Sequence, residues 1–216
     1  TETLLPAKLT ATQLKGRALD EEISENTVLP PRLRSLTKPR FLAGEQKLTG
    51  AERGTAIHLA LQYLDFSEQG GEAGIRAQLE TMRAQRKLTD DQAEAVDVRA
   101  LMRFLQSPLA ARIRASERVE REYRFSLLRP VREFADVDSD DEVLLQGVVD
   151  CFFEEDGALV VVDFKTDRVT RAEMSARAER YRPQLEAYSM ALSRVTGKTV
   201  RERVLYFLSV GEALRL

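Results

Sequence analysis

Apolar residues fall into two kinds of pattern along this chain, and the sharper one is a pair of short apolar runs divided by a polar turn. Leu144 to Phe153 is rich in Val, Leu and Phe, Glu154 to Gly157 is polar and ends in Asp-Gly, and Ala158 to Phe164 is apolar again, which predicts a β-hairpin. Side chains alternate across a strand, so Leu159, Val161, Asp163 and Lys165 share one face and Val160, Val162 and Phe164 the other. An acid and an ammonium thus end an apolar row. Hairpin pairing brings Asp150, near the end of the first run, toward Asp163, so two acids and a lysine meet at one place.

Elsewhere the period is mostly helical. Thr49 or Gly50 starts a helix with Glu52 in its first turn, and Ile57, Leu61 and Leu64 mark its apolar face. Two or three further helices are expected between Ala73 and Ala115, carried by Ala93, Val96, Ala100, Leu101, Phe104 and Leu105, with Ser107-Pro108 breaking the pattern before a short helix. Glu120 to Leu128 reads as a strand in which Glu122, Arg124 and Ser126 alternate with Tyr123, Phe125 and Leu127. Val131 to Glu142 is an acidic loop whose Asp136, Asp138, Asp140 and Asp141 lack the Gly and terminal Glu of an EF-hand. A helix from about Arg171 to Thr196 ends at Gly197, with Leu185, Tyr188, Leu192 and Val195 as its buried stripe, and Val204 to Val210 is a last strand. Before Thr49 the pattern dissolves. Pro6, Pro30, Pro31 and Pro39 punctuate scattered charge, leaving room for one short helix over Leu9 to Leu19. Residues 1–49 are read as an arm or linker, and 50–216 as the domain that carries the chemistry.

Composition narrows the class. With 216 residues, 43% hydrophobic and 31% charged, the chain suits one well-cored soluble domain. No run approaches the roughly 20 apolar residues of a membrane span and no signal peptide opens the chain, so a cytoplasmic location, without membrane contact, is the expectation. The start at Thr1 and the weak periodicity after it point to a piece of a longer polypeptide. A net charge of −2 argues against a strongly basic DNA-coating protein. Arginines nevertheless cluster at 112, 114, 118, 121 and 124 and at 168, 171, 177, 180 and 182. They are either solvated faces paired with Glu117, Glu120, Glu173 and Glu179, or, where they face the hairpin acids, phosphate contacts. The single cysteine, Cys151, excludes an intrachain disulfide and a cysteine-rich metal site.

A carboxylate abutting a buried strand is costly to desolvate unless its charge is offset, by Lys165, a metal ion or both. Paired carboxylates suit a hard divalent cation such as Mg²⁺, and a neighbouring ammonium can hold a water or offset charge developing on a phosphate. For Asp-x-Lys alone, a salt bridge at a strand end is a far commoner explanation than a catalytic site. His58, the sole histidine, reads by itself as a hydrogen-bonded structural residue one helical turn beyond Gly54. Glu122 is either a further acid near the metal or a solvent-facing strand residue. Gln184 and Tyr188 lie four apart and share one helix face.

Together these residues resemble a family. Gly147-Val148-Val149-Asp150 and Val162-Asp163-Phe164-Lys165 are similar to the core of the PD-(D/E)XK nucleases in their RecB-like branch, which also has a Gly-x-x-x-His helix and a Gln-x-x-x-Tyr helix. Gly54 to His58 and Gln184 to Tyr188 match those two, in the same order. Within the branch the chain resembles the nuclease domains of AddA-type helicase-nucleases, a likeness reinforced by Pro6 to Lys15 and weaker over 18–49 and 70–90. The resemblance implies an α/β fold with a restriction-endonuclease-like core, a small mixed central sheet flanked by helices. It implies a Mg²⁺-dependent DNase, with Mn²⁺ as a substitute ion, in which His58, Asp150, Asp163 and the Phe164 carbonyl ligate the metal. Lys165 would ready the water, with Asp150 and Asp163 as its catalytic partners, while Gln184, Tyr188 and Arg168 position the strand. Implied partners are single-stranded DNA fed by a helicase domain of the same polypeptide and an AddB-like subunit, in double-strand break repair by recombination. The alternatives are a silent nuclease fold that binds DNA or a partner without cutting, marked by loss of an acid or the lysine, and an RNase. This chain keeps the acids and the lysine.

Overall fold

The computed structural model describes residues 8–13, 48–67, 70–133 and 141–216. Thr49 opens helix α1 (Gly50–Tyr63) because its hydroxyl accepts the Glu52 N–H while the Glu52 carboxylate accepts the Thr49 N–H, a reciprocal capping box. Four helices follow: α2 (Gly71–Ala84), α3 (Asp90–Ala95), α4 (Val98–Leu105) and α5 (Pro108–Ala115). The region predicted to hold two or three helices thus holds four. The extra break comes from side-chain caps: Thr89 with Gln92, Asp97 accepting from Arg99 and Ala100, and Ser107 ahead of Pro108 each start a new helix.

Six strands form one mixed sheet: β1 (Lys8–Thr10), β2 (Val119–Pro130), β3 (Glu142–Glu155), β4 (Ala158–Lys165), β5 (Val200–Phe207) and β6 (Glu212–Arg215). Strand β3 is the spine. Along one edge it pairs antiparallel with β2 from Phe153 to Glu142, and along the other it pairs first with β1 at Leu144–Gln146 and then with β4 at Cys151–Glu155. The β3–β4 turn is Asp156-Gly157, both at positive φ (51° and 77°), as a two-residue hairpin requires. From β4 the chain crosses through helix α6 (Met174–Thr196) to β5, which pairs parallel with β4. Gly197, at φ 71°, ends that helix in the left-handed conformation.

The sheet is covered on both faces. Helices α1 to α5 pack on Cys151, Phe153, Val160, Val162, Phe164, Val204 and Tyr206, where Phe104 meets Phe164 and Tyr206 edge-on at 5.0 Å. Helix α6 covers Phe152, Leu159 and Val161, and further along Leu205 and Phe207. Simple alternation fails at one point. Leu145 and Val149 face α6, yet Cys151, of the same parity, faces the α1 side, and in β2 Tyr123 and Val119 divide the same way. Both strands therefore invert phase between those residues, at Asp150 and Glu122. Glu122 has φ 53°, a left-handed backbone rarely adopted by a non-glycine residue inside a strand.

Three expectations need correction. Leu9 and Thr10 belong to a strand rather than a helix, because Lys8–Thr10 extends along the free edge of β3; the remainder of that helix, beyond Gln13, lies outside the described residues. Val195 is 49% exposed and does not join the buried stripe of α6. The last strand runs Val200–Phe207, and a turn separates it from β6. Asp136, Asp138 and Asp140 of the acidic loop lie outside the described residues. Among the described residues, no helix is long and apolar enough to cross a membrane.

Gly147 carries a steric constraint: a Cβ there would lie 2.6 Å from Phe125 Cζ and 3.1 Å from Ala11 Cβ. Gly147→Ala is expected to destabilise the chain by about 1–3 kcal/mol in urea unfolding, and by less in a Phe125→Leu background that vacates the space.

Candidate active site

The β3–β4 ladder stops with Cys151 opposite Val162, which leaves Asp150 and Asp163 next in register. Asp150 replaces the missing backbone acceptor with its own carboxylate: Oδ2 takes the Phe164 N–H at 2.8 Å. On its other side His58 Nδ1 lies 3.5 Å from the same oxygen. Helix α1 comes this close because Gly54 has no side chain; a Cβ there would meet Thr166 Oγ1, just past β4, at 3.1 Å. Across β2, the left-handed Glu122 completes the group. One ligand atom each from His58, Glu122 and Asp150 lie within 4.8 Å of one another.

Asp163 and Lys165 lie on the α6 face of β4, 1% and 8% exposed, the acid and ammonium that the alternation placed at the end of an apolar row. Lys165 Nζ is 2.5 Å from Asp163 Oδ2. It also donates to Gln184 Oε1 at 3.2 Å, and Gln184 Nε2 in turn donates to the Tyr188 hydroxyl at 2.5 Å. Despite the ion pair, Asp163 Oδ2 is a buried acceptor with no aligned hydrogen-bond donor.

Burial and crowding of acids shape the electrostatics. Burial pushes Glu122 up to about 7, with Asp150 reinforcing the shift and His58 and Arg124 opposing it. Asp150 is raised as well, first by burial and then by Asp163, against His58, Lys165 and the Phe164 N–H. Three carboxylates thus share one lysine and one imidazole. This donor set fits a hard divalent cation: it is oxygen-rich and in excess negative charge. His58, Glu122 and Asp150 are the side chains whose ligand atoms meet there; Asp163, expected as a further ligand, is not among them and pairs with Lys165 on the α6 face. The link that Phe164 makes to the site is through its N–H, to Asp150.

The other expected residues separate by exposure. Gln184 and Tyr188 are 4% and 2% exposed, and Tyr188 packs edge-on against Phe125. Their burial turns them toward Lys165, and Tyr188 has no open ring face on which a base could stack. Arg168 is exposed in the loop between β4 and α6. Most of the two arginine clusters serve the fold: Arg112 pairs with Glu155 and Glu202, Arg114 donates to the carbonyls of Phe66 and Leu105, and Arg121 to those of Leu61 and Leu64 at the end of α1. Arg171, Arg177 and Arg182 pair with Glu212, Asp167 and Glu179. Arg124, Arg168 and Arg180 are left exposed. A cleft of about 500 Å³ between Arg112 and the Asp156-Gly157 turn holds none of the site residues; Arg112 pairs with Glu155 within its lining, while Glu154 and Asp156 pair with Lys198 and Arg201 outside it.

Two residues beside the site were not singled out from sequence. Tyr181 places its ring against Lys165, with Nζ 3.9 Å from the ring centroid, and its hydroxyl donates to Asp167 Oδ2 at 2.5 Å. Their signal was spacing: Tyr181, Gln184 and Tyr188 are at i, i+3 and i+7 on one helix face, and Asp167 is two residues past Lys165.

The profile of the PD-(D/E)XK nuclease superfamily matches residues 32–214. The chain belongs to that superfamily. Its sequence is 40% identical over 217 residues to the A subunit of the ATP-dependent helicase/nuclease of Acetivibrio thermocellus, covering 97% of this chain and 17% of that protein. The subunits of the same name from Alkaliphilus oremlandii and Clostridium botulinum are 36% and 33% identical, covering 98% of this chain in both cases and 18% and 17% of their own length. The chain therefore spans less than a fifth of these relatives. Asp150, Asp163 and Lys165 are gathered at the open end of the hairpin.

An acid raised in the fold contributes stability while protonated and loses that contribution as pH rises through its folded value. The chain without divalent ion is therefore expected to lose stability between pH 4.5 and about 7, the span over which Glu122 is protonated only in the fold. Calorimetric Tm across this range measures the loss. Glu122→Gln should flatten it, and Mg²⁺ should raise Tm at neutral pH through binding to the folded state alone.

Proposed function

We propose that this chain is a divalent-metal-dependent deoxyribonuclease that hydrolyses phosphodiesters of single-stranded DNA. The observation that carries the reading is the meeting of His58, Glu122 and Asp150 beside the buried Asp163–Lys165 pair. A binding-only version of the fold would need no ammonium and carboxylate paired out of water beside further acids, an arrangement costly to maintain.

Each residue has a task that follows from its position. His58, Glu122 and Asp150 would hold Mg²⁺ or Mn²⁺, which when bound supplies charge for a phosphate oxygen and lowers the pKa of water. The raised pKa values of Glu122 and Asp150 mean that these acids give up protons as the ion binds, so occupancy rises with pH. Lys165, held by Asp163 and Gln184, donates hydrogen bonds to the attacking water and offsets charge growing on the phosphorane oxygens. Gln184 and Tyr188 fix the direction of that ammonium. Arg124, Arg168 and Arg180 lie open to the DNA backbone, whose phosphates dominate affinity.

The likeness to helicase/nuclease subunits supports a wider setting. A helicase domain of the same polypeptide would feed a nuclease domain whose sheet takes in β1 as well as the strands within 50–216, and which receives a single strand as the motor unwinds a duplex. The role would be processing of broken DNA ends for recombination, in the cytoplasm at the nucleoid, in partnership with an AddB-like subunit.

Single-stranded DNA, duplex DNA and RNA are to be incubated with the chain and Mg²⁺, beside Asp163→Ala and Lys165→Ala. Cleavage of single-stranded DNA should fall at least about 10²-fold in either variant and stop in EDTA. Cleavage indifferent to both substitutions rules the site out, and equal cleavage of RNA rules out the DNA preference.

A further inference from the structure

Lys165 is gripped from three directions, and only two of them belong to the residues already given roles. Asp163 and Gln184 hold the ammonium through polar contacts. On the remaining side is the face of Tyr181, a wholly buried residue of α6, with Nζ 3.9 Å from its centroid. At that distance the ring quadrupole attracts the charge, and desolvation strengthens the attraction. The ring is itself anchored. Its hydroxyl donates to Asp167 Oδ2 at 2.5 Å; Arg177 lies 3.8 Å from the same oxygen, and the Asp167 carbonyl accepts the Ser209 hydroxyl at 2.7 Å. Burial and the Asp167 charge hold the Tyr181 phenol far above its ordinary range, so it remains a donor.

We infer that Tyr181 is a positioning residue for Lys165: its ring face, locked by Asp167, keeps the ammonium directed at the reacting phosphate. The inference rests on the nuclease reading for its catalytic consequence, whereas the contact itself is independent of that reading. A lysine side chain has several rotatable bonds, and a flexible point charge is effective only when its direction is restricted. Gln184 restricts Nζ by one hydrogen bond. The tyrosine face closes off the alternative rotamers.

Two measurements separate the contact from the catalysis. In the metal-free chain labelled with ¹³C-lysine, the ε-methylene protons of Lys165, assigned by their loss in Lys165→Ala, should resonate upfield because of the ring. Tyr181→Phe, which keeps the face but loses its anchor to Asp167, should retain a reduced shift; Tyr181→Leu should abolish it. With Mg²⁺ and single-stranded DNA, Tyr181→Leu should lower kcat about tenfold or more with KM unchanged, and Tyr181→Phe should recover part of the loss. If Tyr181→Leu fails to fold by circular dichroism, Asp167→Ala, which frees the ring without removing it, should give a reduced shift and an intermediate kcat. An unshifted Lys165 signal in the parent chain, or a kcat unchanged by loss of the shift, overturns the inference. A shifted signal in a chain that does not cut DNA overturns the nuclease reading alone.

Discussion

Concentrated negative charge at the open end of one hairpin is the constraint on which the rest of the molecule depends. Glu122, Asp150 and Asp163 are drawn out of water around a single lysine and a single imidazole. Like charges held this closely favour protonation of some members, as the raised values of Glu122 and Asp150 register, or the arrival of a cation. The fold is built to withstand that repulsion. Asp150 is tied by the Phe164 N–H, Lys165 is held by Asp163, Gln184 and Tyr181, and the chain beyond β4 is fastened by Asp167 to α6 and to Ser209.

Geometry for this cluster comes from the sharing of one strand's edge. Strand β3 pairs with β2 from Glu142 to Phe153 with a gap at Asp150 opposite Glu122, but its other edge passes from β1 to β4, and the stretch between them ends at Asp150. Here the phase of the strands inverts, and the left-handed Glu122 lies opposite the inversion. Strained backbone of this sort persists only where the surroundings over-determine it. The strands on both sides are locked into opposite cores, one against α1 to α5 and the other against α6, so the strain concentrates between them.

Much of this was legible in the linear pattern. The hairpin, its Asp-Gly turn, the capping box at Thr49 and Glu52, the stop at Gly197 and the separation of Asp163 and Lys165 from Val162 and Phe164 all follow from local rules of period two, period 3.6 and turn chemistry. Strand β1 was not legible. Three residues beside a proline carry no period, and they form a strand because the edge of β3 offers them partners. Val195 was misjudged for a related reason: its helical spacing is right, but α6 has run past the sheet surface it covers. The arginine clusters were ambiguous as sequence, and long-range acceptors such as Leu61, Leu64 and Glu202 decided that most of them are structural.

By itself the sequence determined which chemical groups are available and on which face of each element they lie, since side-chain direction along a strand or helix follows from backbone period alone. It also determined the family, because the four motifs occur in order. Only the tertiary structure decided which groups share a site. His58 joins Asp150 because Gly54 lets α1 settle against Thr166; Glu122 joins them because β2 turns left-handed at that residue; Tyr181 meets Lys165 because α6 crosses the face of β4. Such meetings depend on how separate elements pack. Packing is set by many weak contacts between residues distant along the chain, and no local pattern carries that information.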